Sequence, residues 1–257
     1  MTRTYRIGLI VPSSNTTMET EIPAMLARRA AAAPERFTFH SSRMRMKHVT
    51  KEELARMDGE STRCAVEVSD ARCDAIAYAC LIAIMSQGAG AHRTAEERIA
   101  RAARENGAPA PVVTSAGALV EAIRALGARR IALVAPYLKP LTQLVVDYFA
   151  DCGVEVVDAL SLEVADNVAV GRLDPMRLVE HARALDLARA EALVLSSCVQ
   201  MPSLPAIPLV QARVDVPVLS AATATVFGLL RALDLEPRVP EAGRLLDGGA
   251  AARPAVA

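Results

Sequence analysis

Short runs of consecutive apolar residues, bounded by turn residues, recur along the chain at 7–11, 75–79, 111–113, 131–135, 154–157, 192–195 and 216–219. A run that is apolar at every position has no solvent face, so both faces of the strand it forms are buried. Stretches rich in Ala, Leu, Arg and Glu separate most of these runs and read as helices. Buried strands alternating with helices predict parallel sheets built from βαβ units, an α/β fold.

The pattern repeats itself. Arg6-Ile-Gly-Leu-Ile-Val-Pro12 reads almost letter for letter as Arg130-Ile-Ala-Leu-Val-Ala-Pro136, and Pro111-Val-Val-Thr-Ser-Ala as Pro217-Val-Leu-Ser-Ala-Ala. Between them, the run 75–79 closes on Cys80 and the run 192–195 closes just before Cys198, at nearly the same offset. Three ordered matches make the chain a duplicated unit with one thiol per half, two βαβ units about an approximate two-fold axis. Residues 1–112 are expected to form the first domain and 113–220 the second. The helical pattern within 221–240, which repeats the segment crossing from the first half to the second, is expected to fold back onto the first domain. Residues 241–257 end in small residues and proline and are expected to form a structureless tail.

Composition removes several classes of function. The chain is 257 residues long and 52% apolar, yet no run approaches the ~20 consecutive apolar residues of a membrane span. Lysine plus arginine balance aspartate plus glutamate at 29 each, so no net field draws the chain to nucleic acid or an anionic membrane. Met1-Thr-Arg-Thr-Tyr-Arg leads straight into the first strand without a secretory signal pattern, and the expected location is the cytoplasm. There Cys64, Cys73, Cys80, Cys152 and Cys198, which form no C-x-x-C pair, are expected to be free thiols. His40, His48, His92 and His181 lack metal-ligand spacing, so no metal site is expected.

In parallel α/β sheets ligands bind beyond the carboxyl ends of the strands, and the candidate chemistry falls there. Val11-Pro-Ser13-Ser14-Asn15-Thr16-Thr17 follows the first strand and offers neutral donors suited to a carboxylate or phosphate. It lacks the glycines of a nucleotide-binding loop. Thr16-Thr-Met-Glu19 reads as a capping box for the next helix. Pro136-Tyr137 holds the equivalent place in the second half. Cys80 and Cys198 each precede a helical pattern, where backbone dipoles are expected to favour the thiolate. Cys64, Cys73 and Cys152 are read as packing residues. The basic stretch 42–48 is a candidate mobile segment over the site, or a solvated loop.

Pro12-Ser-Ser-Asn15-Thr-Thr-Met-Glu-Thr-Glu21, Tyr78-Ala-Cys80-Leu-Ile-Ala, Tyr137, Asp166-Asn167 and Ser196-Ser-Cys198-Val-Gln-Met resemble the maleate cis-trans isomerase family of the aspartate/glutamate racemase superfamily. The resemblance spans about residues 5–235. It implies two Rossmann-like domains related by a pseudo-two-fold axis, with the site between them. It also implies a homodimer and a cofactor-independent conversion of maleate to fumarate. Carried over motif by motif, Cys80 is the nucleophile, Cys198 its acid/base counterpart, and Asn15, Tyr137 and Asn167 bind the carboxylates. Backbone amides from Cys80 to Ile82 and from Cys198 to Val199 are expected to add donors.

Rival readings remain at this stage. An amino-acid racemase of the same superfamily would exchange a proton between two thiols, but Leu81, Ile82 and Val199 leave little to hold an ammonium group. An arylmalonate decarboxylase would keep the second cysteine alone. A non-catalytic dicarboxylate-binding protein would need neither thiol.

Overall fold

The computed structural model of the chain describes residues 3–248. Its first half runs β1 (Thr4–Pro12), α1 (Met18–Ala32), β2 (Arg36–Met44), α2 (Lys51–Gly59), α3 (Ser61–Asp70), β3 (Ala75–Tyr78), α4 (Leu81–Met85), α5 (Ala91–Glu105), β4 (Val112–Thr114) and α6 (Ser115–Ala125). The second half runs β5 (Arg130–Ala135), α7 (Lys139–Asp151), β6 (Glu155–Ser161), α8 (Asn167–Gly171), α9 (Leu178–Ala184), β7 (Ala192–Ser196), α10 (Ala206–Gln211), β8 (Val218–Ser220) and α11 (Ala221–Ala232).

Two four-stranded sheets result, ordered β2-β1-β3-β4 and β6-β5-β7-β8, with every strand pair parallel. The order is the same in both, which is the duplication of the sequence expressed as topology. Strands β3 and β7 sit inside their sheets and are buried at every residue, as their unbroken apolar runs require. The edge strand β2 has no such run. Its sequence RFTFHSSRM alternates, because one face and one edge meet solvent, and so contains no continuous apolar segment.

Helices α6 and α11, which follow the last strand of each sheet, pack against each other, and α11 also lies on α1, β3 and β4. The α6–α11 contact is tight enough for the Thr225 hydroxyl to donate to Ser115 Oγ at 3.0 Å. Gly228 lets α11 approach β4, since a Cβ there would sit 2.8 Å from Val113 Cγ1. Val226, Phe227, Leu229 and Leu230 fill the space around it and are almost wholly buried.

The expected structureless tail does not begin at 241. Residues 244–246 form a 3-10 turn with Leu245 and Leu246 fully buried, and the Val239 N–H donates to Leu246 O at 2.8 Å. Two leucines burying apolar surface, tied by a backbone bridge between Arg238 and Asp247, offset the ordering cost that the small residues around them suggested. Residues 249–257 lie outside the described residues. Among the described residues, no helix is long and apolar enough to cross a membrane.

Candidate active site

Because all strands of a sheet are parallel, the turns after β1, β3, β5 and β7 gather at the strand ends where the two lobes meet. They enclose a cavity of about 310 Å³ of empty space, its mouth included. Cys80, Leu81, Ile82, Asn15, Tyr137, Asn167, Cys198 and Val199 all line it, together with Pro12, Met46, Val49 and Gln200. Pro12 and Gln200 stand in the motifs that carry the resemblance and Met46 in the basic stretch 42–48, though none was assigned a role, and Val49 carried no signal. Apart from the two thiols and the tyrosine hydroxyl, no lining side chain titrates, and none carries a permanent charge.

Asn15 is almost fully buried, and its Oδ1 accepts from the N–H groups of Thr17 at 3.1 Å and Met18 at 3.0 Å. It therefore caps α1, and the capping box expected from Thr16 to Glu19 does not form. Glu19 instead pairs with Arg43, whose guanidinium also donates to the carbonyls of Ser13 and Asn15 at 2.9 and 3.1 Å. With Oδ1 committed, Nδ2 of Asn15 has no partner among the described residues and is the group left to bind a ligand.

Asn167 opens α8, whose cap is the Asp166 carboxylate accepting from the Ala169 N–H. Its Nδ2 donates to Ser14 Oγ at 2.8 Å, across the gap between lobes. Tyr137 follows β5, is 5% exposed, and donates a long 3.4 Å hydrogen bond to Ser197 O. Ser196 and Ser197 pin the turn after β7, with Ser196 Oγ donating to Cys198 O at 2.9 Å and Ser197 Oγ to Val134 O at 3.1 Å. The N–H groups of Leu81, Ile82 and Val199 have no acceptor among the described residues, so they are available as donors.

The stretch 42–48 divides. Ser42, Arg43 and Met44 belong to strand β2, while the chain after them crosses the cavity and contributes Met46 and Val49 to its wall. Ser13 Oγ holds this strap by accepting from Met46 N at 3.0 Å and donating to Met46 O at 3.2 Å. At its far end His48 forms a backbone bridge with Asp166 of the second lobe.

The thiols do not have the favoured thiolate expected of them. Burial pushes Cys80 up to about 12, with negative charge at Cys198 and Asp58 adding to the effect and only the Ala83 N–H opposing it. The helix beginning at Leu81 is a single short turn, so its dipole is too weak to offset removal of the sulfur from water. Burial raises Cys198 as well, opposed there by the Tyr137 hydroxyl and the N–H groups of Gln200 and Met201. Of these donors the Gln200 N–H lies 3.4 Å from the Cys198 sulfur, whereas the Met201 N–H and the Tyr137 hydroxyl donate to the carbonyls of Cys198 and Ser197.

Asp58 acts on the site from behind. The Tyr78 hydroxyl donates to its Oδ1 at 2.7 Å and Arg98 Nη2 spans both oxygens at 2.8 and 2.7 Å, anchoring α2 and α5 to the strand that leads into Cys80. The other three cysteines stay apart from the cavity: Cys64 and Cys73 are buried in packing contacts and Cys152 is half-buried at the end of α7.

A site whose nucleophile titrates high has a clear pH signature. Only the singly ionised thiol pair can react, so below the raised thiol values its population grows tenfold per pH unit. We expect log kcat/KM for the dianionic substrate to climb with a slope near one between about pH 7 and pH 9. A plateau already reached near pH 7 would mean that the reacting thiol titrates below its ordinary range.

Comparison with known proteins bears on the same arrangement. A maleate isomerase from Geobacillus stearothermophilus is 61% identical, covering 96% of this chain and 99% of its own length. Residues 7–246 match the family model described as arylmalonate decarboxylase. The chain belongs to the arylmalonate decarboxylase family, among its maleate isomerases. Within that family a cysteine-to-alanine variant of the maleate isomerase Iso from Pseudomonas putida S16, solved with maleate, superposes with a TM-score of 0.95 at 58% identity, covering 96% of this chain and 98% of that one. A cysteine-to-serine variant of the Nocardia farcinica maleate cis-trans isomerase, with a covalently bound succinylcysteine intermediate, gives a TM-score of 0.91 at 49% identity, covering 95% and 98%. The two-lobed fold implied by the resemblance is thus the fold of the family.

Proposed function

We propose that the chain isomerises maleate to fumarate by reversible addition of Cys80 to the double bond. The observation that carries this reading is the pair of repeat-related thiols opening onto one cavity whose other walls are neutral. A cis alkene between two carboxylates cannot rotate until its C2–C3 bond becomes single, and addition of a sulfur at C2 makes it so. In its reactive, singly ionised form the pair carries one proton, which we place on Cys80, and one negative charge, on Cys198, whose sulfur faces the Gln200 N–H. Cys198 takes that proton as the Cys80 sulfur bonds to C2, then delivers it to C3. The product is a succinyl-cysteine with Cys198 again anionic. Rotation about C2–C3, return of the C3 proton to Cys198 and cleavage of the S–C2 bond release fumarate. Relatives that bind maleate and hold a succinylcysteine support this order of events.

The neutral walls are part of the chemistry. Asn15 Nδ2, Asn167, Tyr137 and the free N–H groups of Leu81, Ile82 and Val199 supply hydrogen bonds to the two carboxylates and to charge building on the one next to C3. A lysine or arginine in their place would capture the thiolate as an ion pair and lower its nucleophilicity. The proposal includes a homodimer, on the resemblance alone, and a cytoplasmic location.

The test compares maleate with amino acids. Purified protein should convert maleate to fumarate without added cofactor, followed by the alkene proton signals. L-aspartate and L-glutamate in deuterium oxide should show no exchange of the α-proton, because an ammonium group would be buried against Leu81, Ile82 and Val199 without a carboxylate to pair with, at a cost of several kcal/mol. Exchange at a rate comparable to maleate turnover would replace this reading with a racemase.

A further inference from the structure

Gln200 is 2% exposed and lines the cavity, yet none of its amide's hydrogen-bonding capacity is left for a ligand. Its Oε1 accepts from the N–H groups of Thr16 at 2.9 Å and Thr17 at 3.3 Å, and its Nε2 donates to Ser14 O at 3.1 Å and Asn167 O at 2.9 Å. The side chain thus grips the residues on both sides of Asn15 and, with the same amide, the backbone of Asn167. Its own backbone completes the arrangement. The carbonyl accepts from Thr17 Oγ1 at 2.7 Å, and the N–H points at Cys198 Sγ at 3.4 Å.

We infer that Gln200 is a positioning residue that sets Asn15 of one lobe and Asn167 of the other at a fixed distance from Cys198. A planar amide with two donors and two acceptor lone pairs is the only neutral side chain type that satisfies this set of partners at once. A substrate with two carboxylates on a planar alkene needs its donors at a defined spacing, and here that spacing passes through one side chain. Room for the amide comes from Gly171, where a Cβ would lie 2.5 Å from Nε2 of Gln200. Gly171 does not line the cavity, so changing it displaces Gln200 without altering a group that meets substrate.

This inference rests on the isomerase reading, and the test separates the two. Gln200→Ala is expected to raise KM for maleate about tenfold or more with a smaller fall in kcat, since the thiols remain while the carboxylate donors lose register. Gly171→Ala is expected to shift KM in the same direction by a smaller factor. Gln200→Glu keeps the acceptor for Thr16 and Thr17 and loses both donors, so its KM should rise while those two amides stay protected. Backbone hydrogen exchange reads the clasp without any substrate: the Thr16 amide, which has no other acceptor among the described residues, should exchange faster in Gln200→Ala and unchanged in Gln200→Glu, while the Thr17 amide keeps Asn15 Oδ1. An unreactive wild type with that exchange pattern sinks the isomerase reading and leaves the clasp standing. Unchanged exchange in Gln200→Ala, or wild-type KM in both Gln200→Ala and Gly171→Ala, overturns the assignment.

Discussion

Replacing Cys80 with alanine should reduce maleate turnover by at least about a thousandfold, or ~4 kcal/mol of transition-state stabilisation. A methyl group cannot bond to C2, and without that bond the C2–C3 axis stays rigid. Serine should fare little better. Its hydroxyl is far less acidic than a thiol already pushed up to about 12 by burial, so the alkoxide population is negligible. The fold should tolerate both changes, because alanine removes one sulfur atom from a wall that already borders empty space; thermal unfolding within a few degrees of wild type would show it. Retention of more than about a tenth of wild-type kcat by Cys80→Ala would remove Cys80 as nucleophile.

Replacing Cys198 with alanine should stop turnover by a different route. The sulfur of Cys80 survives, but the group that takes its proton and later recovers one from C3 is gone. Addition becomes slow and elimination slower, since breaking the S–C2 bond requires a base at the C3 proton. Protein incubated with maleate should then gain the mass of one maleic acid, located on Cys80 by peptide mapping. The double variant Cys80→Ala, Cys198→Ala should gain nothing. An adduct that persists when Cys80 is alanine would place the covalent bond elsewhere, and fast turnover by Cys198→Ala would move the acid/base role to another group.

These two experiments probe an arrangement that was partly legible before any coordinates. Unbroken apolar runs mark strands buried on both faces, and repetition of three ordered motifs forces two similar sheets, because like sequences meet like packing demands. The α/β class, the parallel strands and the placing of Cys80 and Cys198 at equivalent strand ends follow from local pattern alone. The grouping of Asn15, Tyr137 and Asn167 near them came instead from resemblance to a family whose motifs they carry.

Other features depend on residues distant in the chain, which local pattern does not register. Strand β2 gave no continuous signal because edge strands are half solvated. Asn15, rather than Thr16 and Glu19, caps α1 because Arg43 from β2 draws Glu19 away. Leu245 and Leu246 turn an apparent tail into packed structure. Gln200 looked like one polar residue after a cysteine until folding set Ser14, Thr16, Thr17 and Asn167 around it. The thiols show the difference most plainly. Sequence places each sulfur before a helical turn and so suggests a stabilised thiolate. Burial by both lobes removes water from the sulfurs, and that desolvation outweighs the dipole of one short turn. Sequence determined which atoms are present and at which strand ends; the closing of two lobes over them decided their protonation.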